Sequence, residues 1–348
     1  MNALACHIKP GKKRVALLAL LALLYSPALQ AADYLYFHAD YSYATHVTEG
    51  LKDTSVSSAG VNTVELTLDL TPLGKRLSDE NTFSLPFLFP KITYQANPEE
   101  LLSPANVSPV NLYSAVPPSM DHLTVEIPLS YVRLSRISSL GAKLYYEKAN
   151  YYSQVTFQKS KTYYPSGSAP VAIAAGETMN MHSGLDLYAG LFQWSLGWIS
   201  TGIGYFYMDY QKPYSAILSG QIESTAIVDS HLVVQGAIVQ MSYQVPEDSV
   251  IFWGVDVGML AGGGMIHYSK AGTTNDYFSL DEEPGTMQLS LAAHFGMRVA
   301  DGLSLRVEGS YQDYIFKERH EFSKNYTGDA TGATDTTFMI QAGLFFYF

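Results

Sequence analysis

Cysteine is almost absent from this chain of 348 residues, which contains only Cys6. Cys6 lies in a leader that we expect to be cleaved off, so the mature chain would contain no cysteine. This excludes disulfide bonds and cysteine-ligated metals. No phosphate-binding loop and no zinc motif is found either, and we predict neither a cofactor nor a metal site.

Basic residues and long apolar runs are also scarce. The 21 lysines and arginines are outnumbered by 32 aspartates and glutamates, giving a formal net charge of −11. An acidic chain without a basic patch excludes nucleic acid as a partner. The longest apolar run, residues 15–24, is about half of the ~20 residues that a membrane-spanning helix needs. Amphipathic helical patterns are almost missing as well. The sequence therefore argues against a helical membrane protein and against a water-soluble helical protein.

The first 31 residues have the pattern of a secretory signal peptide. Four basic residues precede the apolar run 15–24, Pro27 ends that run, and small residues around Ala31 offer a cleavage site. Cleavage there would change the formal net charge from −11 to −15. We therefore predict a signal peptide over residues 1–31 and a mature chain over 32–348.

Aromatic residues are abundant, with 26 tyrosines and 16 phenylalanines. In residues 337–348, alternate positions form one apolar row that includes Phe338, Ile340 and Leu344, while the other row holds polar and small residues. A period of two predicts a β-strand. One face of this strand can meet hydrocarbon, as in a membrane-spanning barrel.

The same segment carries a pattern that resembles the C-terminal assembly signal of Gram-negative outer-membrane β-barrels. It consists of Gln341, Gly343, Phe346 and Phe348. The resemblance implies periplasmic chaperones and the barrel-assembly machinery as partners during biogenesis. It also implies residence in the outer membrane, in contact with its lipid and lipopolysaccharide.

The rhythm of connections predicts one all-β domain over residues 32–348, an antiparallel transmembrane barrel of about twelve strands, with ten to fourteen possible. Such barrels alternate short periplasmic turns with long extracellular loops. Short turns are predicted at 136–139, 194–196, 246–248 and 300–302. The predicted strands are 34–46, 63–70, 82–95, 122–135, 140–158, 181–193, 197–211, 226–244, 249–267, 286–299, 303–316 and 335–348. Segment 82–95 is the doubtful one, because Pro86 and Pro90 cannot donate ladder hydrogen bonds.

The charged residues of these strands fall on the rows that we assign to the lumen. They are Glu65, Asp69, Glu126, Lys143, Asp186, Asp256, His294, Arg298, Arg306 and Glu308. Placing Asp186 inside puts Leu185, Leu187, Ala189 and Leu191 on the lipid face. The charged rows are consistent with a salt-bridged core that fills a narrow barrel and with the selectivity lining of a small pore. In both cases most of the charges should be paired, since a buried lone charge is costly.

The segment 97–121 is too apolar for a freely solvated loop. It begins with a helix-start pattern, Asn97-Pro98-Glu99-Glu100. Its apolar residues include Leu101, Leu102, Leu112 and Tyr113. We expect it to cap or constrict the barrel mouth, the alternative being contact with lipopolysaccharide or a neighbouring protein.

Two function classes follow from these features. The first is a small pore or solute-uptake channel. The second is a structural or surface-interaction barrel with a plugged lumen, which six long predicted surface loops and the dense ion pairs expected in the lumen favour. The chain is also similar in size and C-terminal pattern to solitary autotransporter-type barrels. A hydrolase active at the barrel rim is a weaker third class. His182 and Ser183 are adjacent and should face opposite sides of their strand, so we assign no catalytic residue.

Overall fold

The structure is a computed structural model. It describes residues 36–48, 54–57, 61–79, 85–96, 119–164, 169–217, 225–245, 249–269, 278–279, 285–300, 303–317 and 333–347. The predicted signal peptide, the candidate constriction residues Leu101, Leu102, Leu112 and Tyr113, and Phe348 lie outside the described residues.

Twelve strands form the body of the fold. They are β1 (Tyr36–Thr48), β2 (Val61–Asp69), β3 (Lys91–Ala96), β4 (Ser119–Arg133), β5 (Ser138–Phe157), β6 (Thr178–Leu196), β7 (Ile199–Ile217), β8 (Thr225–Gln244), β9 (Ile251–Ser269), β10 (Gly285–Ala300), β11 (Leu303–Lys317) and β12 (Ala333–Tyr347). Each pairs antiparallel with the next in the chain. The ring closes between β12 and β1, where Tyr347 lies opposite Tyr36. The predicted all-β antiparallel barrel is therefore confirmed.

The doubtful segment 82–95 is only partly a strand. After β2 the chain forms helix α1 (Thr71–Asp79) and a 3-10 turn (Pro86–Leu88) before it enters the short strand β3. Asp69 explains where the helix starts. Its carboxylate accepts hydrogen bonds from the backbone nitrogen and the hydroxyl of Thr71, at 2.9 and 2.6 Å. Among the described residues, no helix combines the length and the apolar character that crossing a bilayer requires.

The turn predicted at 194–196 is wrong, since the structure places it at residues 197–198. β6 continues to Leu196, which pairs with Ile199, so the turn consists of Gly197 and Trp198. Gly197 has a φ of 57°, a left-handed conformation that glycine adopts without steric cost. This turn and the one between β4 and β5 lie at what we term the short-turn end. The other end, which we term the long-loop end, carries four additional short strands, Thr54–Ser57, Lys161–Tyr164, Val171–Ile173 and Phe278–Ser279.

Side-chain burial alternates along the strands and separates an outer from an inner face. On β10, Leu289, Leu291 and Phe295 are exposed, whereas Gln288 and His294 are buried. The same alternation of exposed and less exposed side chains continues on β7, β9 and β11. On β6 the prediction is reversed, because Leu185, Leu187, Ala189 and Leu191 are buried inside while Tyr188, Phe192 and Trp194 are exposed outside.

Two belts of aromatic rings border the apolar outer face. Tyr146, Tyr188 and Tyr207 form the belt nearer the long loops, with ring centroids 4.9 and 6.4 Å apart. At the short-turn end, Tyr243 contacts Trp198 at 6.1 Å and Trp253 at 5.0 Å. From Trp198 to Tyr207 the strand covers about 30 Å, which is roughly 23 Å of membrane at a tilt of about 40°. That height fits the apolar band of a transmembrane barrel.

Candidate functional site in the barrel lumen

The inner wall has two sectors of opposite character. On β6 to β9 it is largely apolar, and Leu187, Phe206, Met208, Val234 and Leu260 are each 2% exposed or less. On β2 to β5 and on β10 and β11 it is polar and charged. The sectors meet where Glu147 lies opposite Leu187 and where Leu260 lies opposite Gln288. The inner wall is therefore apolar on one side and polar on the other.

A buried carboxylate anchors the first polar cluster. Glu147 is 4% exposed. It lies 3.0 Å from Nε2 of His122 and accepts a hydrogen bond of 2.8 Å from the hydroxyl of Tyr145. Several hydrogen bonds are what a buried carboxylate requires to remain ionised. This cluster is therefore paired within itself, and sequence reasoning missed it because Glu147 and His122 are 25 residues apart.

An ion pair between neighbouring strands forms the second cluster. Nζ of Lys143 on β5 donates to Oε2 of Glu126 on β4 at 2.5 Å. Lys91, at the start of β3, lies within electrostatic range of Glu126, Asp69 and Glu65. The charges of this wall thus lie close to charges of opposite sign.

The third cluster lies on β10 and β11 at the short-turn end. His294 lies opposite Glu308, and Arg298 lies opposite Ser304. Between these two pairs, Arg306 donates a hydrogen bond to Glu308. Nδ1 of His294, Nε of Arg298 and Oγ of Ser304 are buried and have no hydrogen-bond partner among the described residues. Of the three clusters, only this one contains several buried polar atoms that have no hydrogen-bond partner among the described residues.

Close approach of rings to glycine backbones shapes this cluster. A β-carbon on Gly254 would collide with the imidazole of His294, and one on Gly296 would collide with the ring of Phe252. Both rings therefore lie flat along the inner wall. Phe252 places one apolar ring at the edge of the arginine cluster.

Asp186 is not in the lumen, and its predicted placement is wrong. It alternates with the buried Leu185 and Leu187 and is half-buried on the outer face. Both rows of β6 are apolar, so hydrophobicity could not decide which one faces lipid. The aromatic residues of the other row settle the choice, because tyrosine and tryptophan favour the membrane boundary.

The remaining predicted residues are placed as follows. Glu65 and Asp69 share the inner register with Gln95 and Lys91, although Asp69 also caps α1. Asp256 on β9 lies within electrostatic range of Glu308 and Arg306, two strands away on the same wall. Gly343 lies opposite Arg306. For Gln341 and Phe346 the structure describes only the backbone, and the assembly-signal role of this segment stays a prediction.

A small apolar core lies at the long-loop end, inside the region that the sequence suggests is a plain loop. Phe157 and Met181, from the inner rows of β5 and β6, pack with Tyr163 and Ile173 of two short strands. Those strands form a hairpin, and its first strand also pairs with β8 at Ile227 and Val228. The hairpin, which we term the mouth hairpin (Lys161–Tyr164 and Val171–Ile173), thus lies on the inner side of the barrel mouth. It offers a constriction separate from the predicted one at 97–121.

The structure does not bring His182 and Ser183 together as a catalytic pair. His182 is exposed and lies 3.0 Å from the side-chain oxygen of Asn150, whereas Ser183 is buried on the inner face. Their opposite orientation is the one that the sequence predicts. In the described part of the chain, no group of three or more histidine, cysteine, aspartate or glutamate residues could hold a metal ion.

Comparison with known proteins finds only remote structural likeness. No protein-family model matches the chain, and no curated protein is detectably similar. Similar solved structures include the CymD monoaromatic hydrocarbon channel (8% identity, 94% of this chain and 92% of that chain, TM-score 0.34). A Pseudomonas aeruginosa FadL homologue (9%, 90% and 90%, 0.31) and the β domain of the Bordetella autotransporter BrkA (10%, 90% and 100%, 0.33) are further examples. These are outer-membrane β-barrels, and at such TM-scores the likeness carries no argument about function.

Proposed function

We propose that this protein is a channel of the outer membrane through which small solutes pass. The observation that supports this most directly is the two-sided inner wall, in which a charged sector faces an apolar one. A barrel that served only as a scaffold could satisfy its interior with apolar packing or with closed ion pairs. Here, instead, the cluster on β10 and β11 leaves buried polar atoms unpaired, which is costly unless they bind something.

A plugged barrel is the second candidate, and a separate observation favours it. Phe206, Met208 and Phe252 on the inner wall are 0% exposed, so water does not reach the apolar sector. The mouth hairpin also packs on the inner side of the long-loop end. In this alternative the lumen is a sealed core, and the surface loops carry the function.

The proposed location in the outer membrane rests on three features. The aromatic belts are spaced for a bilayer, residues 1–31 have the pattern of a secretory leader, and the terminal pattern ending at Phe348 resembles a barrel-assembly signal. Periplasmic chaperones, the assembly machinery, and outer-membrane lipid with lipopolysaccharide are the partners that these features propose.

Single-channel recording separates the two candidates. The mature protein is refolded and inserted into a planar bilayer, and conductance and reversal potential are measured in a salt gradient. We expect steady openings, with a reversal potential that shifts in Glu308→Gln because this carboxylate lies on the inner face. Lys148→Gln, which removes one charge on the outer face, is the matched control and should leave the reversal potential unchanged. A folded barrel that stays silent would overturn the channel and favour the plugged alternative.

A further inference from the structure

We infer that the inner face of β10 and β11 binds the carboxylate of a small organic anion, with Arg298 and Ser304 as its principal donors. This inference deepens the proposed channel function by naming the class of solute. The binding site itself can be tested without any channel activity.

The donors converge at one place in the register. Arg298 and Ser304 are directly opposite each other on adjacent strands, and both side chains point inward. Ser304 is 0% exposed and His294 is 6% exposed, yet Oγ of Ser304 and Nδ1 of His294 have no hydrogen-bond partner among the described residues. Nε of Arg298 is also buried and also has no hydrogen-bond partner among the described residues. Native structures rarely bury polar atoms unpaired, so three of them on one short stretch of wall indicate a missing partner.

The charge pattern selects an anion for that partner. Arg306 and Lys91 lie within electrostatic range of His294 and add positive charge to the cluster. The neighbouring carboxylates, Glu308 and Asp256, lie further along their strands toward the long-loop end, and Glu308 already accepts a hydrogen bond from Arg306. An arginine that faces a hydroxyl, without a carboxylate between them, suits a carboxylate or phosphate oxygen.

The ring of Phe252 favours an organic anion over a bare inorganic one. The ring of Phe252 lies over Gly296, and Gly296 lies between His294 and Arg298 on β10. A ligand with a carboxylate and a compact apolar body could place its charge on Arg298 and its body against the ring of Phe252.

Isothermal titration of the refolded, full-length mature barrel in detergent tests the site. The probes are benzoate, its neutral analogue benzyl alcohol, and inorganic phosphate. We expect benzoate to bind, benzyl alcohol to bind at least about tenfold more weakly, and phosphate to fall between them. Arg298→Gln should weaken benzoate binding by about tenfold to a hundredfold, as expected when a charge-assisted hydrogen bond is lost. Ser304→Ala should weaken it by a smaller factor.

Arg136→Gln is the matched control, because it makes the same chemical change in the exposed turn between β4 and β5. Its benzoate affinity should equal that of the wild type. Arg298→Lys keeps the charge and serves as the second variant in case Arg298→Gln does not refold. Wild-type protein that fails to bind benzoate, or an Arg298→Gln variant that binds it as well as the wild type, would overturn the site.

Bilayer recording of the same preparations keeps the two proposals apart. Benzoate binding by a silent barrel would support the site and reject the channel. Conductance that benzoate does not affect, in a barrel that does not bind it, would support the channel and reject the site. A fall in conductance with benzoate, absent in Arg298→Gln and present in Arg136→Gln, would support both.

Discussion

The hydroxyl of Tyr146 on β5 donates a hydrogen bond to Oδ1 of Asp186 on β6, with 2.7 Å between the two oxygens, on the outer face of the barrel. Lys148 lies 3.9 Å from the same carboxylate atom, and Asp209 lies beside Asp186 in the register of β7. These charged side chains come one step beyond the belt that contains Tyr188. The boundary between hydrocarbon and headgroups therefore falls between the tyrosine belt and this charged row.

The outward position of Asp186 predicts that its charge does not affect ion flow. Asp186→Asn should leave the single-channel conductance and reversal potential unchanged. Because the carboxylate is more than a third exposed, the free energy of unfolding should change by no more than about 1 kcal/mol. Urea unfolding and bilayer recording measure the two quantities. A shifted reversal potential would show that Asp186 faces the lumen, as the sequence predicts, and would reverse the assignment of the two faces of β6.

The tryptophans predict where the barrel sits in the bilayer. The chain has three, Trp194, Trp198 and Trp253, and all are exposed on the outer face near the short-turn end. In vesicles, lipids brominated close to the headgroup should quench their fluorescence more strongly than lipids brominated near the end of the acyl chain. Stronger quenching from the chain end would place the belt in the bilayer centre and contradict the assigned span.

Much of the barrel could be predicted from the sequence because its C-terminal half alternates cleanly. On β10, for example, exposed Leu289, Leu291 and Phe295 alternate with Gln288 and His294, so periodicity identifies both the strand and the face that each residue occupies. Such a pattern requires no tertiary information, since a lipid face and a polar lumen impose it residue by residue.

The rest could not be predicted because it depends on contacts between distant segments. On β6 both rows are apolar, and only its neighbours decide that Leu187 faces Glu147 inside. Helix α1 is the exception, because its start is marked in the sequence by the capping residue Asp69 and by Pro72 at its second position. The mouth hairpin has no such signal, because its buried residues take their partners from β5, β6 and β8.

The pair of Glu126 and Lys143 predicts a large loss of stability when it is broken. Glu126→Gln leaves the ammonium of Lys143 without its partner, although that side chain is only 15% exposed. We expect the free energy of unfolding to fall by about 3 kcal/mol, as for other poorly solvated pairs. Lys143→Gln should have a similar effect.

The double variant tests whether the loss comes from the orphaned charge. Glu126→Gln combined with Lys143→Gln should recover most of the stability, because neither charge then remains buried alone. Urea unfolding in detergent micelles gives all three values. Lys148→Gln, whose side chain is 48% exposed, is the control and should change stability by about 1 kcal/mol or less. Losses that simply add in the double variant would contradict direct pairing.

The mouth hairpin is held by a hydrogen bond that we term the latch, and removing this bond should change the structure only locally. The hydroxyl of Tyr163 donates a hydrogen bond of 2.7 Å to Asp229 at the start of β8. Tyr163→Phe keeps the buried ring but leaves the carboxylate without this donor, a loss of about 1–3 kcal/mol. The hairpin should then open more often, so limited proteolysis between β5 and β6 should be faster. Tyr205→Phe, which removes an exposed hydroxyl on the outer face, should not change the rate of cleavage.

The rate of cleavage should also depend on pH, which gives a second test of the hydrogen bond between Tyr163 and Asp229. Burial, reinforced by the Asp229 carboxylate, raises the pKa of Tyr163 in the folded hairpin above its ordinary value. The stabilisation that this hydrogen bond gives is therefore complete below the pKa of a free tyrosine, about 10. It decreases as the pH rises further, because the phenol ionises at a lower pH in the open hairpin than in the closed one. Cleavage of the wild type should accelerate above pH ~10, whereas Tyr163→Phe, already without the hydroxyl, should lack that increment. Equal acceleration in both proteins would show that another group controls the opening of the mouth.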